Sequence, residues 1–165
     1  MRGMKARLPA ALVFFAALHA LPGSAAGSNT LSLSSSVVGT CKVTSPPGLL
    51  DFGTIDPSGA GSVTATMTFA MKCTKSTVST AATDNGGLNF SGTKRMKHSV
   101  TATAFLPYSV AYSGDIGFTG QGFGVAAGAQ TITINGTITP AQFQNARATV
   151  AGQIYTDTVT ITVNP

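Results

Sequence analysis

Tyr155-Thr156-Asp157-Thr158-Val159-Thr160-Ile161-Thr162-Val163 alternates with a period of two. Val159, Ile161 and Val163 fall on one face, and Thr158, Thr160 and Thr162 on the other. Successive side chains of a strand point to opposite faces, so this alternation predicts a half-buried β-strand. Only Asn164 and Pro165 follow. A domain that stops on a core-type strand leaves the outer edge of that strand uncovered, and open edges recruit other strands. The expectation is a β domain whose last strand awaits a neighbour, supplied by the chain itself or by another molecule.

Working outward, Ser62 to Cys73 repeats the pattern over a longer run. Val63, Ala65, Met67, Phe69, Met71 and Cys73 share one face; Ser62, Thr64, Thr66, Thr68 and Lys72 share the other. Thr40-Cys41-Lys42-Val43 reads the same way, with Cys41 and Val43 in phase. Pro46-Pro47-Gly48 breaks the chain, and the apolar run Leu49, Leu50, Phe52, Ile55 ends at the turn signal Asp56-Pro57-Ser58-Gly59. Asp84-Asn85-Gly86-Gly87 is a second strong turn. Val100 to Leu106 alternates, Pro107 punctuates, and Tyr108, Val110 and Tyr112 mark the next strand. Gly114 to Gly128 reads as a glycine-rich loop holding Phe118 and Phe123. Ile132, Ile134 and Ile138 mark another strand, with Gly136 as a bulge position. Thr139-Pro140 caps one helical turn through Gln144. About seven strands separated by turns predict an all-β fold: an antiparallel, immunoglobulin-like sandwich, incomplete by its last strand.

Arg2, Lys5 and Arg7 precede an apolar stretch from Leu8 to Leu21, and Gly23, Ser24, Ala25 and Ala26 close it. This predicts a signal peptide over residues 1–26, too short and interrupted for a membrane span. No integral membrane segment is expected in the mature chain. Seven basic and five acidic side chains remain after cleavage, with no Glu, for a net charge of +2. That balance gives no footprint for nucleic acid. The basic cluster Lys94-Arg95-Met96-Lys97-His98 reads as a solvated loop. Export to an oxidising compartment makes a disulfide the expected state of Cys41 and Cys73, the only cysteines.

Catalytic chemistry finds no foothold. His98 is the only histidine of the mature chain, and no Gly-x-Ser-x-Gly elbow surrounds a serine. A lone histidine beside basic residues reads as a surface residue. The five aspartates, scattered beside glycines and prolines, read as turn formers rather than a carboxylate pair. Gly120-Gln121-Gly122-Phe123-Gly124 lacks the Lys-Ser/Thr of a phosphate loop. Two distant cysteines and one histidine build no zinc centre. The reading is no enzyme, no metal and no cofactor.

Gly39-Thr40-Cys41-Lys42-Val43, Leu50-Asp51-Phe52-Gly53-Thr54, Cys73 at the end of a long alternating strand, Leu106-Pro107-Tyr108-Ser109-Val110 and Gly152 to Val163 occur in this order. Together they resemble the spore coat protein U domain, shared with Csu-type pilin subunits of the archaic chaperone–usher pathway. The resemblance implies a sandwich lacking its last strand, filled first by a periplasmic chaperone. It implies a second filling, by the N-terminal segment of another subunit during assembly at an outer-membrane usher. On that reading residues 27–40 form a donor-strand segment, with Leu31, Leu33, Ser35 and Val37 as its inward side chains. Residues 41–165 form the acceptor domain, and Val159, Ile161 and Val163 line its groove.

The expected function is a structural subunit of a secreted surface fibre, passing through the periplasm to the cell surface. Its expected partners are other subunits, a chaperone and an usher. The alternatives are a secreted coat or matrix protein of the same fold, as on a spore surface, or an adhesin domain using Phe118 and Phe123.

Overall fold

The structure is a computed structural model that describes residues 30–124 and 126–165. The signal peptide expected over residues 1–26, and residues 27–29 of the expected donor segment, lie outside the described residues. The chain divides into residues 1–35 and a second compact unit, residues 36–165. Of the first, residues 30–35 carry neither helix nor strand, and their side chains are exposed.

Every strand pairing of the second unit is antiparallel. Its elements are β1 (Cys41–Ser45), β2 (Val63–Cys73), β3 (Thr80–Asp84), β4 (Lys94–His98), β5 (Phe105–Ser113), β6 (Gln130–Ile138), α1 (Pro140–Phe143), β7 (Tyr155–Thr156) and β8 (Ile161–Asn164). Six strands run in the order β1-β2-β6-β5-β4-β7, and β3 pairs with β8 in a second sheet. The long sheet curls because β5 changes partner along its length. Phe105 to Tyr108 pair with β4, and Ser109 to Ser113 pair with β6. Pro107 therefore sits inside a strand rather than ending one. The β6 pairing starts only at Ser109, so the missing amide of Pro107 interrupts no bond to β6.

Thr-rich alternation on β2 and β6 sorts their side chains into an outer polar face and an inner apolar one. The pair runs in register from Val63 opposite Ile138 to Met71 opposite Gln130. Phe69, Met71, Ile132 and Ile134 form one core cluster with Cys41 and Cys73. Leu106, Tyr108, Ile138 and Phe143 form a second. Cys41 stands directly opposite Cys73 in the β1–β2 register, and the two are disulfide-bonded. Closing a loop of 32 residues in sequence separation contributes about 3–4 kcal/mol by the loop-closure argument.

Three local expectations are corrected. Gly136 is no bulge: it pairs in register with Ala65 and Val110. It is glycine because a Cβ there would come within 2.6 Å of Phe52 Cζ and 2.8 Å of Leu50 Cδ2. Lys94 to His98 is a strand rather than a loop. Residues 99–104 are a turn rather than a strand, closed by Ala104 N donating to Thr101 O at 3.0 Å and His98 N donating to Ala104 O at 3.0 Å.

Candidate docking groove

Among the described residues, the backbone of the C-terminal segment is bonded to other strands along one edge only. Tyr155 and Thr156 pair with β4, and Ile161 to Asn164 pair with β3. Between them, Thr158 O and Thr160 O accept from Leu88 N and Asn85 N, both at 3.1 Å. Among the described residues no strand pairs with the other edge of β8, and β1 has β2 as its only strand partner. The chain between β1 and β2 carries no strand. Most of its hydrogen bonds are local, such as Gly53 N to Asp51 Oδ1 at 2.8 Å and Gly59 N to Asp56 O at 3.0 Å, while Gly59 O accepts from Gln144 Nε2 at 3.3 Å.

A groove of about 960 Å³ opens between the free edge of the C-terminal segment and the strandless chain that follows β1. Pro47 to Ile55 form one wall, and residues 153–159 with Ile161 form the other. The floor comes from one face of β5, with Leu106, Tyr108, Val110 and Tyr112, joined by Met67 and Ile134. β5 supplies these because residues two apart share a face. Apolar side chains lining an uncovered sheet edge can take up an added strand, with backbone bonds to the edge and side chains into the floor.

Two hydroxyl–carboxylate links tie the floor to its surroundings. Tyr108 Oη donates to Asp157 Oδ2 at 2.7 Å, and Tyr112 Oη donates to Asp84 Oδ2 at 2.7 Å. Asp157 Oδ1 also accepts from Leu88 N at 3.0 Å and Asn89 Nδ2 at 3.2 Å. Asp84 adds an ion pair with Lys94 at 3.1 Å. Burial pushes the Asp84 carboxyl up, but the Tyr112 hydroxyl, the Gly86 amide and Lys94 outweigh it and hold it below its ordinary range. Burial pushes both tyrosines well above their ordinary value, and the carboxylates beside them add to the shift.

Val159 and Ile161 stand on the groove wall. Val163 packs with Ile161 against the Cys41–Ile134 cluster and is not part of the lining. All three are half-buried. Leu31, Leu33 and Val37 are more than 80% exposed (82%, 83% and 83%), and Ser35 is exposed.

The aspartates are more than turn formers. Asp51 and Asp56 hold turns, whereas Asp84, Asp115 and Asp157 bond across the fold. Asp157 could have been found from sequence, being in phase with Val159 and Ile161 on the inward face. His98 is buried, not a surface residue. Its Nδ1 accepts from Val100 N and Thr101 N, and its ring meets Tyr155 edge-on at 5.0 Å. The basic cluster is largely engaged within the fold: Lys94 pairs with Asp84, and Arg95 lies 4.2 Å over the Phe105 ring. Phe118, one of two candidate ligand-binding aromatics, packs against the core, while Phe123 stays exposed. No helix among the described residues is long and apolar enough to cross a membrane.

Fold, disulfide and groove together define a structural β-sandwich domain with an open edge. The family model described as Spore Coat Protein U domain matches residues 28–162, and the chain belongs to that family. Membership assigns it to structural subunits of the surface or fimbrial kind. A search of the curated proteins finds no match to the chain.

Proposed function

We propose that this chain is a structural subunit of a secreted fibre, assembled by donor-strand complementation through a chaperone–usher pathway. The observation that carries this reading is the groove between the free edge of the C-terminal segment and the strandless residues 47–55, in a chain that also holds an exposed alternating segment. Leu31, Leu33, Ser35 and Val37 of one subunit enter the groove of the next, beside Val159 and Ile161. Burying two Leu and one Val contributes roughly 5–8 kcal/mol before ordering costs. Each such contact is head-to-tail, so the assembly stays open and grows as a fibre. A periplasmic chaperone strand occupies the groove before assembly, and the outer-membrane usher is where the exchange takes place. The signal peptide over residues 1–26 takes the subunit to the periplasm.

The family description also supports a second reading, a secreted coat layer built from the same sandwich. Deletion of residues 29–38 separates these readings from each other. For a fibre subunit, the deleted chain folds, is retained by a chaperone and does not polymerise. Fibres of ordinary length from the deletion would refute the donor role. Chains that stay soluble and monomeric with no chaperone bound would favour the coat reading.

A further inference from the structure

We propose that His98 is an acid-sensitive latch: as a neutral ring it holds residues 99–101 in a turn, and through that turn it holds Ile154 and Tyr155 on the groove wall. The latch belongs to the domain itself and needs no donor strand.

His98 closes β4 and is 2% exposed. Its Nδ1 accepts from Val100 N at 3.2 Å and from Thr101 N at 3.0 Å. A side-chain oxygen of Asn or Asp that accepts from amides a few residues on makes the same kind of turn. An imidazole nitrogen that accepts carries no proton, so the ring is neutral and its proton sits on Nε2. Nε2 is buried and has no hydrogen-bond partner among the described residues. A further proton goes to Nδ1, where it faces two amide protons in place of the lone pair that bound them. The charged ring and the turn therefore exclude each other. The turn is joined to the groove at Ser99. Ser99 N donates to Ile154 O at 2.8 Å, and Ile154 N donates to Ser99 Oγ at 3.1 Å. Tyr155 stands opposite His98 and meets its ring edge-on. Ile154 and Tyr155 both line the groove. β7 has two residues and, among the described residues, β4 as its one strand partner, so little else fixes this end of the wall.

The groups around the ring do not offset a charge on it. On β4 itself, Lys97 is a cation, and Lys94, on the ring's own face, is paired with Asp84. β7 brings Tyr155, whose hydroxyl donates to the backbone of Arg147, a second cation. Asp157, just beyond β7, already accepts from Tyr108 Oη, Leu88 N and Asn89 Nδ2. Residues 99–104, Leu88, Asn89 and the facing Phe105 of β5 carry no titratable side chain. The charged ring does have somewhere to turn. A second pocket, of about 370 Å³, lies beside His98, with Lys97 and Asp157 in its lining. Histidine side chains ordinarily charge at about pH 6.5. The latch is therefore closed at neutral pH and opens as pH falls through that region, loosening the Ile154–Tyr155 end of the wall first.

Hydrogen exchange of the full chain, read by NMR at about pH 7.5 and about pH 5 and corrected for the intrinsic rate at each, tests the latch. Protection of the Val100, Thr101 and Ile154 amides is expected to fall about tenfold in acid, the loss of roughly one net hydrogen bond, while β2 and β6 keep theirs. His98→Asn sets an oxygen where Nδ1 stands and does not titrate, so its protection is expected to be the same at both pH values. His98→Ala is expected to show the lower protection at both. Unchanged wild-type protection in acid would overturn the proposal. So would an equal acid loss in His98→Asn, which assigns the response to another group, or a loss shared by β2 and β6, which is opening of the whole domain. Should neither variant fold, the wild-type chain still decides. Its ring-nitrogen shifts at neutral pH are expected to show Nε2 protonated and Nδ1 bare, and a proton on Nδ1 there would overturn the latch. Fibre assembly enters none of these measurements, so their failure leaves the fibre reading untouched, and failure of that reading leaves the latch standing.

Discussion

The centre of the sheet and the C-terminal segment are written in the same period-two pattern, and they finish in different states. On β2 and β6 the inward side chains are sealed: Phe69 is 3% exposed, Met71 1%, and Ile132 and Ile138 0%. On the C-terminal segment every inward residue from Tyr155 to Val163 is half-buried and none is sealed. The difference lies in neighbours. β2 and β6 have a strand on each side and the Leu49–Phe52 stretch laid across them. The C-terminal segment has β3 and β4 on one side and the groove on the other. Alternation in a sequence thus says which face turns inward, but the number of covering elements decides how far the burial goes.

The contrast predicts an order of mutational costs. Ile132→Ala, at a sealed position, is expected to destabilise the subunit by about 4 kcal/mol, from lost transfer free energy and the cavity left behind. Chemical denaturation with the disulfide intact measures it. Ile161→Ala is expected to cost about 1 kcal/mol in the isolated subunit, because part of that side chain already faces solvent. The same change should cost more once a donor strand fills the groove. If Ile161→Ala and Ile132→Ala cost the same in the unfilled subunit, the groove is closed in solution and the comparison fails.

Much of the fold was legible because it depends on side-chain chemistry close in sequence. The β2 alternation, the Cys41–Cys73 pairing, the Asp56–Gly59 turn and the single helical turn after Thr139 all appear where the residues indicate. What sequence misread depends on side-chain contacts that a period-two pattern does not show, one of them local and the others from distant parts of the chain. Val100 to Ala104 alternates like a strand, yet two of its amides are taken by His98 Nδ1, which makes it a turn. Lys94 to Lys97 looks like a solvated loop until Asp84 and Phe105 arrive from other strands to engage its cations. Gly136 reads as a defect in a strand, but its reason is Phe52, 84 positions away, crossing above it. The groove was legible only as one wall, at Val159 and Ile161. Its floor depends on Tyr108 and Tyr112 crossing beneath, which no local pattern announces.

The smallest predicted effect concerns what holds the edge in place of a sealed core. Tyr112 and Asp84 join β5 to β3, the strand against which β8 lies. The Asp84 carboxyl is held below its ordinary value of 3.8, so the link contributes fully above that pH and is lost as pH falls through the folded value. The Tyr112 hydroxyl is held above its ordinary value of 10.0, so its contribution is complete below pH 10 and fades as pH rises beyond it. The Tyr112–Asp84 bond contributes to both limbs, and the Gly86 amide and Lys94 contribute to the acid one besides. Tyr112→Phe is therefore expected to cost roughly 1 kcal/mol near neutral pH and to flatten the stability profile at both ends. Hydrogen exchange read residue by residue should show the acid limb first in residues 80–84 and 161–164, before β2 and β6 respond. If acid opens the centre and the edge together, the Tyr–Asp link is not what distinguishes them. The edge would then owe its order to the half-buried apolar side chains alone.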